Sequence, residues 1–115
     1  MSPTEDDGVA VLVSSQHPSE VQKLVASTLG IALNRVTVSV RRMGGAFGGK
    51  ETQAAPLACI AALFARRTGR AIKYRMPRQQ DMMQTGKRHD FENEYRLGFD
   101  DQGVIQAAEL TLAAR

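Results

Sequence analysis

The chain reads as an α+β unit in the order β-α-β-α-β followed by a β-hairpin, a mixed sheet with two helices packed on it. Three observations predict that class. Two short runs rich in β-branched residues flank a segment whose apolar residues recur at helical spacing. A second helical segment, carrying Leu57, Ile60, Ala61 and Phe64 on one face, stops at Gly69. Near the end, an Asp-Asp-Gln-Gly turn separates two alternating stretches.

Each element has its own justification. Val9-Ala10-Val11-Leu12-Val13, bounded by Gly8 and Ser14-Ser15, has the composition of a buried strand. Gln16-His17-Pro18 is a turn, because the residue before proline is pushed out of helical geometry. Ser19-Glu20-Val21-Gln22 fits a capping box, with Ser19 at the N-cap and Gln22 reaching back. Val21, Leu24, Val25 and Leu29 then form the apolar face of a helix that Gly30 ends. From Arg35 to Arg41 the residues alternate, placing Val36, Val38 and Val40 on one side and Thr37 and Ser39 on the other. The second helix carries Leu57, Ile60, Ala61 and Phe64 on one face, and Pro56 lies in its first turn or else the helix starts late. Arg66-Arg67 complement its C-terminal dipole before Gly69. Ala71–Met76 reads as a short strand ended by Pro77, and Gln79–Gln84 as a helical turn before Gly86. Phe91–Phe99 alternates, Asp100-Asp101-Gln102-Gly103 turns, and Val104–Ala114 returns as the antiparallel partner.

At 115 residues the chain has room for one domain. With 43% apolar and 23% charged residues it is globular in composition, which excludes disordered, collagen-like and coiled-coil classes. No apolar run approaches the ~20 residues of a membrane span. Met1–Gly8 is acidic where a secretory signal would be basic and then apolar, so a cytoplasmic location is expected. A single cysteine, Cys59, forms no internal disulfide and holds no metal cluster alone, so it is read as a small buried hydrophobe in a reducing compartment. The net charge of +3 is spread, densest between Arg66 and Arg88. With no tryptophan and no binding module, a nucleic-acid partner is not expected. Arg115 falls within an alternating stretch, so a piece of a longer domain is expected, its basic and apolar faces awaiting other parts of that protein.

Met43-Gly44-Gly45-Ala46-Phe47-Gly48-Gly49-Lys50-Glu51 is the richest glycine cluster, and it joins a strand to a helix. Glycines admit positive φ and let backbone N–H groups approach an anion or an oxo group closely. Gly44 to Lys50 satisfies G-x-x-x-x-G-K, which makes an anion- or nucleotide-binding module one reading. The next residue there should be Ser or Thr to reach Mg²⁺, and here it is Glu51, whose carboxylate would repel phosphates. A carboxylate at the exit of such a loop suits ring N–H groups instead. It also suits the first turn of a helix through the macrodipole, and both readings of Glu51 stand. Gln16, before His-Pro, has the parallel alternative of satisfying turn backbone groups.

Taken together, Ser14-Ser15-Gln16-His17-Pro18-Ser19-Glu20, Arg42–Gln53, Asp81-Met82 and Thr85-Gly86-Lys87-Arg88-His89 resemble the molybdenum-binding part of the xanthine dehydrogenase family. The likeness runs from about Asp7 to Ala108, in the family's order and spacing. It implies that Gln16 matches a glutamine whose amide approaches an oxygen ligand of molybdenum, which itself has no direct protein ligand. Phe47 and Gly48 match the loop whose backbone reaches the metal's ligand sphere. Glu51 matches an acid that orients purine-like substrates, a position where aldehyde-oxidising relatives tend to carry a non-acidic residue. The implied cofactor is molybdenum–molybdopterin, with FAD and 2Fe-2S clusters on other domains or subunits. The implied reaction is hydroxylation of an electron-poor carbon of a heteroaromatic ring, to which a 115-residue fragment alone would contribute one wall and no activity. Ala46 departs from the pattern, where a third glycine is commoner, but keeps the residue small. Arg88 matches a basic position without an assigned role, and His17 and His89 are read as structural.

Overall fold

The computed structural model describes residues 1–87 and 89–114, so Arg88 and Arg115 lie outside the described residues. A three-stranded sheet forms the centre, in the order β1 (Ser2–Pro3), β2 (Val9–Leu12), β3 (Val36–Ser39). β1 runs antiparallel to β2, while β2 and β3 are parallel in the register Val9↔Val36 to Leu12↔Ser39. Parallel neighbours need a crossover, and α1 (Pro18–Leu29) with a short 3₁₀ turn (Leu33–Arg35) supplies it. Val9, Val11 and Val36 are buried while Thr37 and Ser39 are exposed, as alternation requires. Val21, Val25 and Val36 are the largest fully buried side chains. Each such valine contributes about 1.5–3 kcal/mol relative to an exposed one.

α1 starts two residues earlier than a capping box on Ser19 requires. Pro18 occupies the first helical position and His17 the N-cap. Proline favours this place because its fixed φ suits the helix and its missing N–H would have no partner there. Gln22 does not reach back; its Nε2 donates to the carbonyls of Leu33 (3.2 Å) and Val36 (2.7 Å), pinning the crossover to the helix. At the far end Gly30 is left-handed (φ 63°), Gly30 N–H donates to Ser27 and Ile31 N–H to Ala26, a Schellman motif.

α2 (Ala54–Thr68) packs against α1, and its buried residues are Ala54, Ala55, Ala58, Ala61, Ala62 and Ala65. The expected face of Leu57, Ile60, Ala61 and Phe64 is therefore corrected: Ala61 is buried, but Ile60 and Phe64 are exposed, Phe64 to 55%. Both stripes have helical spacing, and only the small one allows the valine face of α1 to approach closely. Pro56 lies in the first turn and left-handed Gly69 ends the helix, as expected. Cys59 is half-buried against the core.

Residues 71–77 form no strand. Ile72 exchanges hydrogen bonds with Met1 in both directions, at 2.9 and 3.2 Å, which is as far as the two-residue edge strand β1 extends. The expected helical turn is a full helix, α3 (Arg78–Gln84). β4 (Phe91–Phe99) and β5 (Ile105–Ala114) form the hairpin, in the register Phe91↔Ala114 to Phe99↔Ile105 with a bulge between Gly98 and Phe99. It is a separate two-stranded sheet, exposed along its whole length. Among the described residues no helix is long and apolar enough to cross a membrane.

Candidate functional site

Because β2 and β3 are parallel, both chains leave the sheet at the same edge. Carboxyl ends of parallel strands are where open α/β sheets hold ligands. Gln16 lies four residues beyond β2, and the glycine loop begins at Met43, four residues beyond β3. One further ladder bond, Val13 N–H to Ser39 C=O at 3.1 Å, carries the pairing up to this edge.

Residues 14–16 then grip the end of the loop. Ser15, 2% exposed, donates its hydroxyl to Lys50 C=O (3.1 Å), and its Oγ accepts His17 N–H (3.0 Å). Gln16 N–H donates to the same carbonyl at 2.9 Å, and Gln16 Oε1 accepts Lys50 N–H at 3.1 Å. Lys50 Nζ donates to Ser14 Oγ at 3.1 Å and to Met43 C=O, while Ser14 Oγ donates to Met43 C=O at 3.0 Å. The lysine of the G-x-x-x-x-G-K match is thus turned back onto its own chain rather than held out for phosphate.

Inside that closure the backbone is left-handed at Gly44 (φ 68°), Gly45 (φ 86°), Phe47 (φ 51°) and Gly48 (φ 81°). Gly49 N–H donates to Ala46 C=O at 2.7 Å, so residues 46–49 make a turn with positive φ at both central residues, the pattern of type I′. A bulky residue at positive φ is a genuine outlier and costs about 1–3 kcal/mol. Phe47 is also 89% exposed, so it adds nothing to this chain's core. Its ring lies over Gly45, where a Cβ would come within 3.2 Å of Phe47 Cε2.

Glu51 follows the loop, three residues ahead of α2 and outside its first turn; it is exposed and, among the described residues, makes no hydrogen bond or ion pair. The third motif block touches the second, since a Cβ on Gly86 would meet Gln53 Nε2 at 2.7 Å. Thr85 Oγ1 donates to Asp81 C=O at 2.6 Å and Lys87 Nζ to Thr85 C=O at 2.7 Å, fixing that block to α3. His17 Nδ1 lies 2.9 Å from Glu20 Oε2 at the start of α1, and His89 is exposed. A cavity of about 980 Å³ lies between β2, α2 and residues 72–78 and includes Ser14, but none of Gln16, Phe47, Gly48 and Glu51 lines it. Sequence reasoning missed the part played by Ser14, Ser15 and Lys50. The available signal was a pair of serines directly after a buried strand, where hydroxyls must find partners.

Among the described residues no three His, Cys, Asp or Glu side chains gather as a metal site. What this edge offers is the Gln16 amide NH₂, a glycine-rich backbone and an apolar ring, a donor set that fits a group presenting oxygen acceptors.

Over residues 1–115 the chain matches the molybdopterin cofactor-binding domain family, and it belongs to that family. Curated proteins similar to it include aldehyde oxidases and xanthine dehydrogenases. Aldehyde oxidase 3 of Rattus norvegicus is 45% identical over 94% of the chain. Aldehyde oxidase 2 of Cavia porcellus is 44% identical over 92%, and xanthine dehydrogenase of Dictyostelium discoideum 40% identical over 97%. The chain spans 8% of the length of each of these relatives.

Proposed function

We propose that residues 1–115 are part of a larger molybdopterin-binding domain in a cytoplasmic molybdenum hydroxylase acting on purine-type heteroaromatic rings. One observation supports this most: the parallel strands deliver the Gln16 amide and the strained Phe47 loop, with Glu51 at its exit, to a single edge. Gln16, Phe47 and Gly48 face the cofactor, and Glu51 orients the substrate. When bound, the molybdenum cofactor supplies oxygen transfer coupled to two-electron oxidation. Gln16 donates an uncharged amide N–H toward an oxygen of that group. Phe47 gives the ring of a substrate an apolar neighbour and keeps water off it. The Glu51 carboxylate accepts ring N–H groups and so orients the heterocycle. The remainder of the molybdenum subunit completes the site, and iron–sulfur and FAD groups elsewhere take the electrons. The 115-residue chain alone is therefore inactive.

Relatives named for aldehydes make the substrate class the point to test. In the full-length protein, Glu51→Gln should lower kcat/KM for hypoxanthine about 10- to 100-fold, the worth of a hydrogen bond to a charged acceptor. For benzaldehyde, which has no ring N–H, it should change by less than about threefold. Equal losses on both substrates, or a wild-type protein that turns over the aldehyde alone, would reject the purine assignment.

A further inference from the structure

A backbone N–H can only donate, so the atom of Gln16 that meets Lys50 N–H at 3.1 Å is its carbonyl oxygen. The NH₂ of the same amide is thereby the end left for another partner on the exposed side. What keeps Lys50 N–H in place is a second set of contacts made by its own side chain. Nζ closes the loop by reaching Met43 C=O at its start, while Ser14 Oγ bonds to both. Between those ends lie four left-handed residues, a backbone that does not hold its shape by itself. Gln16 and Lys50 are joined at a second point, since Gln16 N–H donates to Lys50 C=O.

We propose that Lys50 is a positioning residue: its ammonium, clasping Met43 C=O and Ser14 Oγ, holds the peptide that orients the Gln16 amide with its NH₂ outward. The clasp rests on geometry in this chain; what Gln16 faces rests on the function proposed above. Lys50 thus serves a shape, whereas the resemblance to a phosphate loop would give it a ligand. The ammonium also has a reason to be charged and long: a charge-assisted bond across the loop mouth is about twice as strong as a neutral one.

The test uses the full-length protein with Lys50→Met, Gln16→Ala and the double variant, with Ser14→Ala as a milder break of the same clasp. Three readouts are taken: amide hydrogen exchange of residues 43–51, the EPR line shape of the molybdenum(V) state, and kcat with KM. Lys50→Met should speed exchange across the loop, shift the EPR line shape in the same sense as Gln16→Ala, and lower kcat about tenfold with KM little changed. In the Gln16→Ala background it should lower kcat no further, because a residue acting through Gln16 has nothing left to act on. Ser14→Ala should follow the same pattern more weakly, and it serves as the test if Lys50→Met does not fold. Additive losses in the double variant, or an unchanged line shape and exchange, would overturn the positioning role. If Gln16→Ala itself leaves line shape and rate unchanged, the placement of Gln16 is wrong and exchange alone decides: faster exchange in Lys50→Met upholds the clasp, unchanged exchange overturns it.

Discussion

Phe47 has φ 51° and almost no contact within the chain beyond Gly45, so its conformation is held by the turn around it. Replacing it with glycine removes the left-handed penalty and little packing, so Phe47→Gly should leave unfolding stability unchanged or raise it by up to about 1 kcal/mol. The same change should abolish turnover in the full-length protein. Gly45→Ala should act in reverse, costing about 1–2 kcal/mol in a urea melt, because position 45 is left-handed and its new methyl would press on the Phe47 ring. A Phe47→Gly protein that melts much earlier would show the ring to be a packing element of this chain. Much at this scale was legible in the sequence. Four glycines around one phenylalanine announce a loop whose backbone must take unusual φ values, and that is what forms. The partner of Lys50 was not legible, because it depends on which strand exits beside the loop, and pairing of β2 with β3 decides that.

Elements were readable where one local rule acted alone and misread where two competed. Gly30 and Gly69 stop their helices as glycines do. At the start of α1, proline's preference for the first position displaced a plausible capping box. Along α2, apolar periodicity was shared by an alanine stripe and a larger Leu-Ile-Phe stripe. Hydrophobicity points to the larger one, whereas the valines of α1 need small partners. The hairpin turn carries a pH dependence. Asp100 Oδ1 accepts Val104 N–H (3.0 Å) and Gln102 N–H (2.9 Å), and Oδ2 accepts Gln106 Nε2 (2.8 Å). These bonds, that from Val104 first, hold its carboxyl below the usual range. A lowered pKa in the folded turn means that its contribution is intact above the ordinary value, about 3.9, and lost as pH falls through the folded value. Amide exchange at Val104 and Gln102 should therefore accelerate below about pH 4 while the α1–α2 core is unaffected. Equal acceleration throughout the chain would count against a local effect.

For the whole molecule, the radius of gyration is 20.9 Å and the extents are 69 × 27 × 20 Å. A compact chain of this length would have a radius near 13 Å. The hairpin accounts for the difference. One of its faces gathers Phe91, Tyr95, Leu97, Phe99, Leu110 and Leu112, with Tyr95 and Leu112 each 71% exposed. Its alternation made the hairpin legible; the cover it needs was not, since none of the described residues supplies one. A lone two-stranded ribbon is marginal in water. Expressed alone, the 115-residue chain should bind a hydrophobic dye and sediment as oligomers, and the full-length protein should do neither. A monodisperse, dye-silent 115-residue chain would contradict this.

The opposite side of that ribbon gathers Glu92, Glu94 and Glu109, with Arg96 opposite Glu109. Two strands of nine and ten residues offer long margins of backbone to any neighbouring extended chain. Three carboxylates on one surface make like ribbons repel when they stack or line up edge to edge. With three carboxylates against one guanidinium that surface is net negative, which opposes fibril-like pairing of one ribbon with another.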